Sequence, residues 1–466
     1  MKRVVILFLI VAISNTFALG QKYKRPKVQT PGEFRSAPPG GPDPRTTADL
    51  KWFELFQDKA LQELIQAALA GNYDLRESVA RIDQARAAYG IQRSEQFPTF
   101  AASADLVTER RSRSGAVDIP EPINRSRTFG SVLLNLLTFE LDIWGRLRKA
   151  SAAAKADLLA TEETRRAVIT TIVSDVATAY FNLREFDFEL DIAKRTLASR
   201  EESLRLIRLR NARGVATLLE VREAEELVYD ASALIPALEQ SIEQTENFLS
   251  FLTGKNPQPI TRGQELTDNV FPPGVPPGLP SDLIERRPDI RSAEQSLIAA
   301  EARIGVAKAA YFPRISLTGF LGFESAQLSN LFKASRSVWA FVPQITQPIF
   351  TAGRLKSNVR FSQAERDFFL VNYERTIQNA FREVSDSLAA HRKVKEERVQ
   401  RELLVETLRD RSRLAYLRYN GGVATLLDAL DADRNLFAAE RTLAQTRRDE
   451  LLSVVQLYKA LGGGWQ

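Results

Sequence analysis

Arg418-Tyr419-Asn420-Gly421-Gly422-Val423-Ala424-Thr425-Leu426-Leu427-Asp428 has an echo far upstream, Arg210-Asn211-Ala212-Arg213-Gly214-Val215-Ala216-Thr217-Leu218-Leu219-Glu220. Gly214 and Gly422 lie 208 positions apart, and Gly-Val-Ala-Thr-Leu-Leu followed by an acid is common to both. Glycine takes the left-handed conformation that closes a helix C-terminus at little cost, whereas a residue with a Cβ resists it. Thr217 and Thr425 then suit the N-cap of a following helix, with Glu220 or Asp428 three residues on in a capping-box pattern. Arginines before the first turn (Arg205, Arg208, Arg210, Arg213) and acids after it (Glu223, Glu225, Glu226) match the macrodipoles of two antiparallel helices. Two helical hairpins built on one template are expected, and hence an internal duplication.

Composition narrows the function. Length alone suggests roughly three domains at about 150 residues each, a count that the duplication weakens. Apolar and charged fractions of 44% and 26% belong to a folded chain. The net charge of +6 becomes +4 when Lys2 and Arg3 leave with a leader, and acids and bases interleave throughout. No basic block tracks phosphates, so nucleic acid is not an expected partner. There is no cysteine, which excludes disulfides, thiolate metal sites and thiol catalysis. The single histidine, His391, lies between helical residues beside Arg392 and Lys393 and reads as a solvated helix surface, since a metal site needs several convergent ligands. No catalytic set, metal site or cofactor site is expected.

Met1-Lys2-Arg3 and the apolar run from Val4 to Ile13 form a short leader, with Ala18-Leu19-Gly20 at the cleavage spacing. Residues 1–20 are therefore expected to be a signal peptide, with Gln21 opening the mature chain. No later stretch approaches the roughly 18 apolar residues of a spanning helix. An exported chain of this kind enters a membrane only as a closed barrel.

Residues 21–57 are rich in Pro and Gly and read as an extended segment. A first repeat is expected over 58–253. It opens with a helix over about 58–95 (Leu61, Leu64, Ile65, Ala68, Val79, Ile82, Ala85) that Phe97-Pro98 stops. Beyond Pro98 the period changes from 3.6 to 2, predicting strands at about 98–109 and 127–142. A proline-free stretch over about 145–213 predicts a helix roughly 100 Å long, and a return helix follows over about 217–252, kinked or broken at Pro236. A Pro/Gly-rich linker spans 254–280. The second repeat, 281–461, reads as Ser281 to Asp289 leading into a helix through Tyr311, with Arg287-Pro288-Asp289 a helix-start and collar element, then strands at about 313–324 and 336–349, a long helix over 353–419 and a return helix over 425–461. Residues 462–466 form a tail. Two strands per repeat give four, fewer than the roughly eight that close a barrel, so their open edges require partners.

These residues resemble the TolC-like outer-membrane efflux protein family, in the branch that serves RND pumps. The resemblance rests on Pro277-Gly278-Leu279-Pro280-Ser281-Asp282-Leu283 running into Arg286-Arg287-Pro288-Asp289-Ile290, on Glu140 to Arg146, on Pro348 to Leu355, on Tyr419 to Asp431 and on Leu457 to Trp465. It implies an internally duplicated α+β membrane protein. Its homotrimer would form a twelve-stranded β-barrel in the outer membrane of a Gram-negative-type bacterium, continuous with a long twelve-helix periplasmic α-barrel. The 254–280 linker and the terminal segments would make an equatorial collar. The implied function is the passive exit duct of a tripartite efflux system, not an enzyme. The implied partners are a periplasmic adaptor, an inner-membrane transporter of the RND type and outer-membrane lipid. The alternative is a periplasmic coiled-coil structural or adaptor protein, whose signature would be long helices without amphipathic strands.

Two departures stand out. Many members of that branch carry a lipid-anchoring cysteine before a Tyr-x-Arg-Pro motif; here Tyr23-Lys24-Arg25-Pro26 is present but Gln21 stands near the cysteine's place, implying no N-terminal lipid anchor. Some relatives latch a closed tip with an arginine two residues after the turn glycine, and that position is Ala424, its partner positions being Leu219 and Glu220.

The resemblance also places functional residues. Asp428 and Asp431 match acidic positions ringing the periplasmic aperture, with Glu220 the equivalent of the former in the first repeat. Rings of carboxylates favour cations, although Asp428 and Glu220 equally suit helix capping. Tyr416 and Tyr419 are read as gate hydrogen-bonders or as helix-packing residues. Gly214, Val215, Gly421, Gly422 and Val423 form tips suited to adaptor docking. Trp144, Trp339 and Phe350 near strand ends are either interfacial girdle aromatics or packing at the strand–helix junction.

Overall fold

The computed structural model describes residues 23–37, 47–114, 118–268 and 278–465. The leader expected over 1–20 lies outside the described residues, as do parts of the 21–57 and 254–280 segments. The chain forms two compact units. One holds Ile82–Ala160 and Ala293–Tyr373 with residues 23–27; the other holds Val28–Arg81, Thr161–Ser292 and Glu374–Gln466.

In chain order the elements are α1 (Trp52–Leu55), α2 (Lys59–Gly71), α3 (Tyr73–Ser94), β1 (Phe100–Arg110), β2 (Ser126–Leu141), α4 (Arg146–Ala212) and α5 (Leu218–Leu252). The second half repeats them as α6 (Pro280–Arg286), α7 (Pro288–Ala309), β3 (Arg314–Ser325), β4 (Ser337–Thr346), α8 (Arg354–Asn420) and α9 (Leu426–Ala460). Three equivalent pairs have equal length: α3 and α7 have 22 residues, α4 and α8 have 67, α5 and α9 have 35. No helix among the described residues is long and apolar enough to cross a membrane.

One helical expectation needs correction. The pattern over 58–95 is not one helix: Asn72 takes an extended conformation between α2 and α3. Its Oδ1 accepts from the N–H groups of Asp74 (2.9 Å) and Leu75 (3.2 Å), restarting the helix as an N-cap does. The helix expected to start at Arg287-Pro288-Asp289 does so as α7, parted from the short α6 at Arg287, which is extended because the proline ring excludes the α region for its predecessor. Pro236, expected to kink or break the return helix, does not break it: α5 runs through it. The two breaks are used alike. Asn72 Nδ2 donates to the carbonyl of Leu252 at 2.9 Å, and Arg287 Nη1 donates to that of Ala460 at 2.9 Å. Those carbonyls are the last of α5 and α9, orphans that a helix C-terminus leaves unsatisfied.

In the first unit the strands form one antiparallel sheet in the order β1-β2-β3-β4. Directly opposed residues share a face. One row runs Ala102, Leu134, Leu321, Trp339, and the next runs Phe100, Leu136, Gly319, Phe341. On the opposite face lie Asp105, Ser131 and Glu324, and, past an irregularity between Leu136 and Phe139, Glu140, Ser316 and Gln344. One face is thus apolar and the other more polar but mixed, since Leu133, Phe320 and Val342 also lie on it.

The second unit holds the helical core, where Leu61, Ile65, Tyr180, Leu183, Leu249 and Val455 are fully buried. Each such apolar side chain stabilises by roughly 1.5–3 kcal/mol. A buried polar knot ties the linker to this core. The Tyr180 hydroxyl donates to Asp58 (2.7 Å) and accepts from Gly263 N–H (2.9 Å), while Asp58 also accepts from Gln264 N–H (2.9 Å) and N-caps α2.

Candidate functional site

The two helical turns are built identically from backbone bonds. Gly214 and Gly422 have φ of 72° and 76°. Val215 N–H reaches the carbonyl of Arg210 (2.9 Å) while Gly214 N–H reaches that of Asn211 (2.9 Å), and Val423 to Arg418 with Gly422 to Tyr419 (both 3.0 Å) repeat the pair. This is the Schellman closure. Thr217 accepts from Glu220 N–H (3.2 Å) and Glu220 from Thr217 N–H (2.6 Å). Thr425 and Asp428 make the same box at 3.3 and 3.2 Å. Glu220 and Asp428 therefore both sit in capping positions. At the apices Val215 and Val423 are 76% and 68% exposed.

Asp431 is not a bare carboxylate. Arg411 meets one oxygen at 2.9 Å and Arg434 the other at 3.1 Å, with Asn435 donating at 3.0 Å. The hydrogen bond from Arg434, then that from Arg411, holds its carboxyl below the usual range. Tyr416 is half-buried and hydrogen-bonds with Ser203, burial raising its phenol. Tyr419 packs on the cluster around Leu204, Ile207 and Leu426, with the Arg210 guanidinium 4.8 Å from its ring centre. Both tyrosines thus pack between helices of one protomer.

Trp144 occupies the junction-packing alternative: its ring stacks on Phe312 (4.9 Å) and its Nε1 donates to the Pro313 carbonyl (2.7 Å). Trp339 and Phe350 are 77% and 89% exposed. His391 does not lie on a free surface; it is half-buried, its Nδ1 3.0 Å from Ser453 Oγ, and desolvation lowers its imidazolium's stability.

The chain matches the outer membrane efflux protein family over residues 64–255 and 279–463. It belongs to that family. The solvent efflux pump outer membrane protein SrpC of Pseudomonas putida is 41% identical over 421 residues, covering 90% of this chain and 88% of that protein. Outer membrane protein OprJ of Pseudomonas aeruginosa is 39% identical over 420 residues, covering 89% and 86%. Among solved structures, the open state of the Neisseria gonorrhoeae MtrE outer membrane channel superposes with a TM-score of 0.87 at 34% identity, covering 96% of this chain and 98% of that one. The fold is TolC-like and mostly helical, and the family is one of channels, not enzymes.

Within this efflux-protein fold two buried charged clusters, one at Arg200 and one at Glu185 and Glu189, escaped the sequence reading. Arg200 on α4 is buried and reaches Asp433 on α9 (2.8 Å) and the Leu227 carbonyl on α5 (2.8 Å), with Asp230 at 3.4 Å. It falls in the register Ala193, Leu197, Arg200, Leu204, Ile207, where spacing calls for an apolar residue; that mismatch was the available signal. Glu185 and Glu189, one turn apart on α4, are also buried. Arg448 meets the first at 3.3 Å; Arg441 (3.2 Å) and Gln445 (2.7 Å) meet the second. Burial, then the hydrogen bond and repulsion from Glu189, push the Glu185 carboxyl up to about 8.

Proposed function

We propose that this chain is the outer-membrane exit duct of a tripartite efflux system, three copies closing one twelve-stranded barrel continuous with a twelve-helix periplasmic cylinder. The carrying observation is the sheet: four strands, β1 and β4 each pairing on one side only among the described residues, and an apolar row exposed on the protomer (Leu134, Leu321, Trp339). Open edges and a solvent-facing apolar face are both unfavourable until copies pair edge to edge and lipid covers the face. β3 and β4, at 12 and 10 residues, match the roughly 9–11 that a tilted strand needs to span a bilayer. A periplasmic coiled-coil protein has no use for such a sheet.

In this reading the exposed tips at Gly214, Val215, Gly421, Gly422 and Val423 dock a periplasmic adaptor, which couples the duct to an inner-membrane transporter. Relatives include efflux components named for solvent, toluene and antibiotic, which supports small-molecule export here. Asp428 and Asp431 form the acidic aperture, and because Arg411 and Arg434 already offset Asp431, Asp428 carries more of its field. Membrane fractionation followed by gel analysis should give a heat-modifiable oligomer; a stable water-soluble monomer overturns the reading. In planar bilayers conductance should favour cations, with Asp428→Asn reducing that preference more than Asp431→Asn does.

A further inference from the structure

The duplication sets the same two cations at the start of both long helices but supplies acids to only one. Arg146 and Arg148 open α4, and 208 positions on Arg354 and Lys356 open α8. In the first half Glu140 holds Arg146 through two bonds of 2.8 Å, and Asp142 meets Arg148 at 3.2 Å. Asp142 also accepts from the N–H groups of Leu147 (3.0 Å) and Arg148 (2.8 Å). The positions equivalent to these acids are Pro348 and Phe350. The second half kept the cations and lost the carboxylates.

Arg146, Arg314 and Arg354 line one cavity of about 450 Å³ at the foot of the sheet. Arg314 shares Glu140 with Arg146, at 3.2 Å, so one carboxylate serves two guanidiniums. Glu95 acts on Arg146 at longer range. Among the described residues Arg354 has no carboxylate partner, and the cavity carries excess positive charge. Its wall is mixed: Ser316 and Gln344 come from the polar face of the sheet, while the stacked Trp144 and Phe312 rings are apolar. A guanidinium fork matches an oxyanion in plane, and an apolar wall strengthens that attraction by excluding water.

We propose that this cavity binds small organic anions, with Arg354 and Arg314 taking the oxyanion and Trp144 and Phe312 the apolar part. The carboxylate of Glu140, held by Arg146 and Arg314, shows what the equivalent place beside Arg354 takes when the chain supplies it. The duct reading enters only through the polar face of the sheet, along which an anion arrives; charge and cavity belong to the protomer. The oxyanion has two sources of the same chemistry, an organic acid in transit and the headgroup of an anionic phospholipid.

Benzoate titrated calorimetrically into the purified oligomer tests this. It should bind, and Arg354→Gln should weaken binding roughly tenfold or more, the loss of one charge-assisted contact. Pro348→Glu, which sets a carboxylate beside Arg354 as Glu140 stands beside Arg146, should weaken it similarly. Both variants should keep the heat-modifiable oligomer and its conductance, so failure of the site is separable from failure of the duct. Repeating the titration in nanodiscs with phosphatidylglycerol distinguishes the sources: suppressed benzoate binding identifies the headgroup as an occupant, and undiminished binding identifies a soluble acid. No benzoate binding by the unmodified protein, or equal binding by Arg354→Gln, overturns the proposal.

Discussion

Gly214 and Gly422 close their helices with the same two backbone bonds, and Thr217 and Thr425 open the next with the same capping box. At the strand–helix junctions the halves part company: Glu140 and Asp142 of the first stand where the second has Pro348 and Phe350. The turns are alike because a reversing helix must satisfy its last carbonyls and its first N–H groups, and few residue types do so. At the junctions Asp142 satisfies two N–H groups of α4, but Glu140 meets only guanidiniums, and the second half does without both carboxylates. The turns stay paired between halves, and the junction side chains become free to specialise.

That contrast is sharpest at the helix breaks. Asn72 and Arg287 satisfy equivalent carbonyls, but Arg287 is a buried charge that also meets Asp289 (2.7 Å) and Glu383 (2.7 Å). Arg287→Ala removes the charge-assisted bonds to Asp289, Glu383 and the Ala460 carbonyl together and is expected to destabilise by about 3 kcal/mol, against about 1–2 kcal/mol for Asn72→Ala. Equal losses in denaturant unfolding would erase the distinction between the halves.

The closing glycines come next. A Cβ at Gly254 would lie 2.3 Å from the Gly71 carbonyl oxygen, whereas one at Gly422 meets nothing within 4 Å. Both have positive φ, at 70° and 76°. Gly422→Ala should cost about 1 kcal/mol, the left-handed penalty alone. Gly254→Ala should cost roughly 3 kcal/mol, backbone overlap being added. Thermal melts of the two variants check the order.

The capping threonines should behave alike. Thr217→Ala and Thr425→Ala are each expected to lose about 1 kcal/mol, read as faster amide exchange in the first turns of α5 and α9. A clear inequality would show that the two turns differ beyond their shared box.

A buried carboxyl of the first half adds a pH dependence, at Glu185. Its folded-state value is raised above 4.5, so its contribution is fully present below that value and is lost as pH rises through about 8. Glu185→Gln mimics the protonated form. Its melting temperature should exceed that of the unmodified protein at pH 9, with little difference near pH 4, and an unchanged pH profile would count against a retained proton.

Periodicity and punctuation in the chain were enough to read the alternation of helices and strands, the two turns and the duplication, because period, proline and glycine act over a few neighbouring residues. Family likeness added the channel. Asn72 is where local reading failed: nothing in 58–95 forbids a continuous helix, and the break is held by the carbonyl of Leu252, 180 residues away. The same holds for His391 against Ser453, for Arg200 among three helices and for the arginines gathered around Glu140. Local backbone preference is written in adjacent residues and so is settled by the chain itself. Whether a charge is buried, paired or left over depends on which distant side chain packs against it, and only the folded structure decides that.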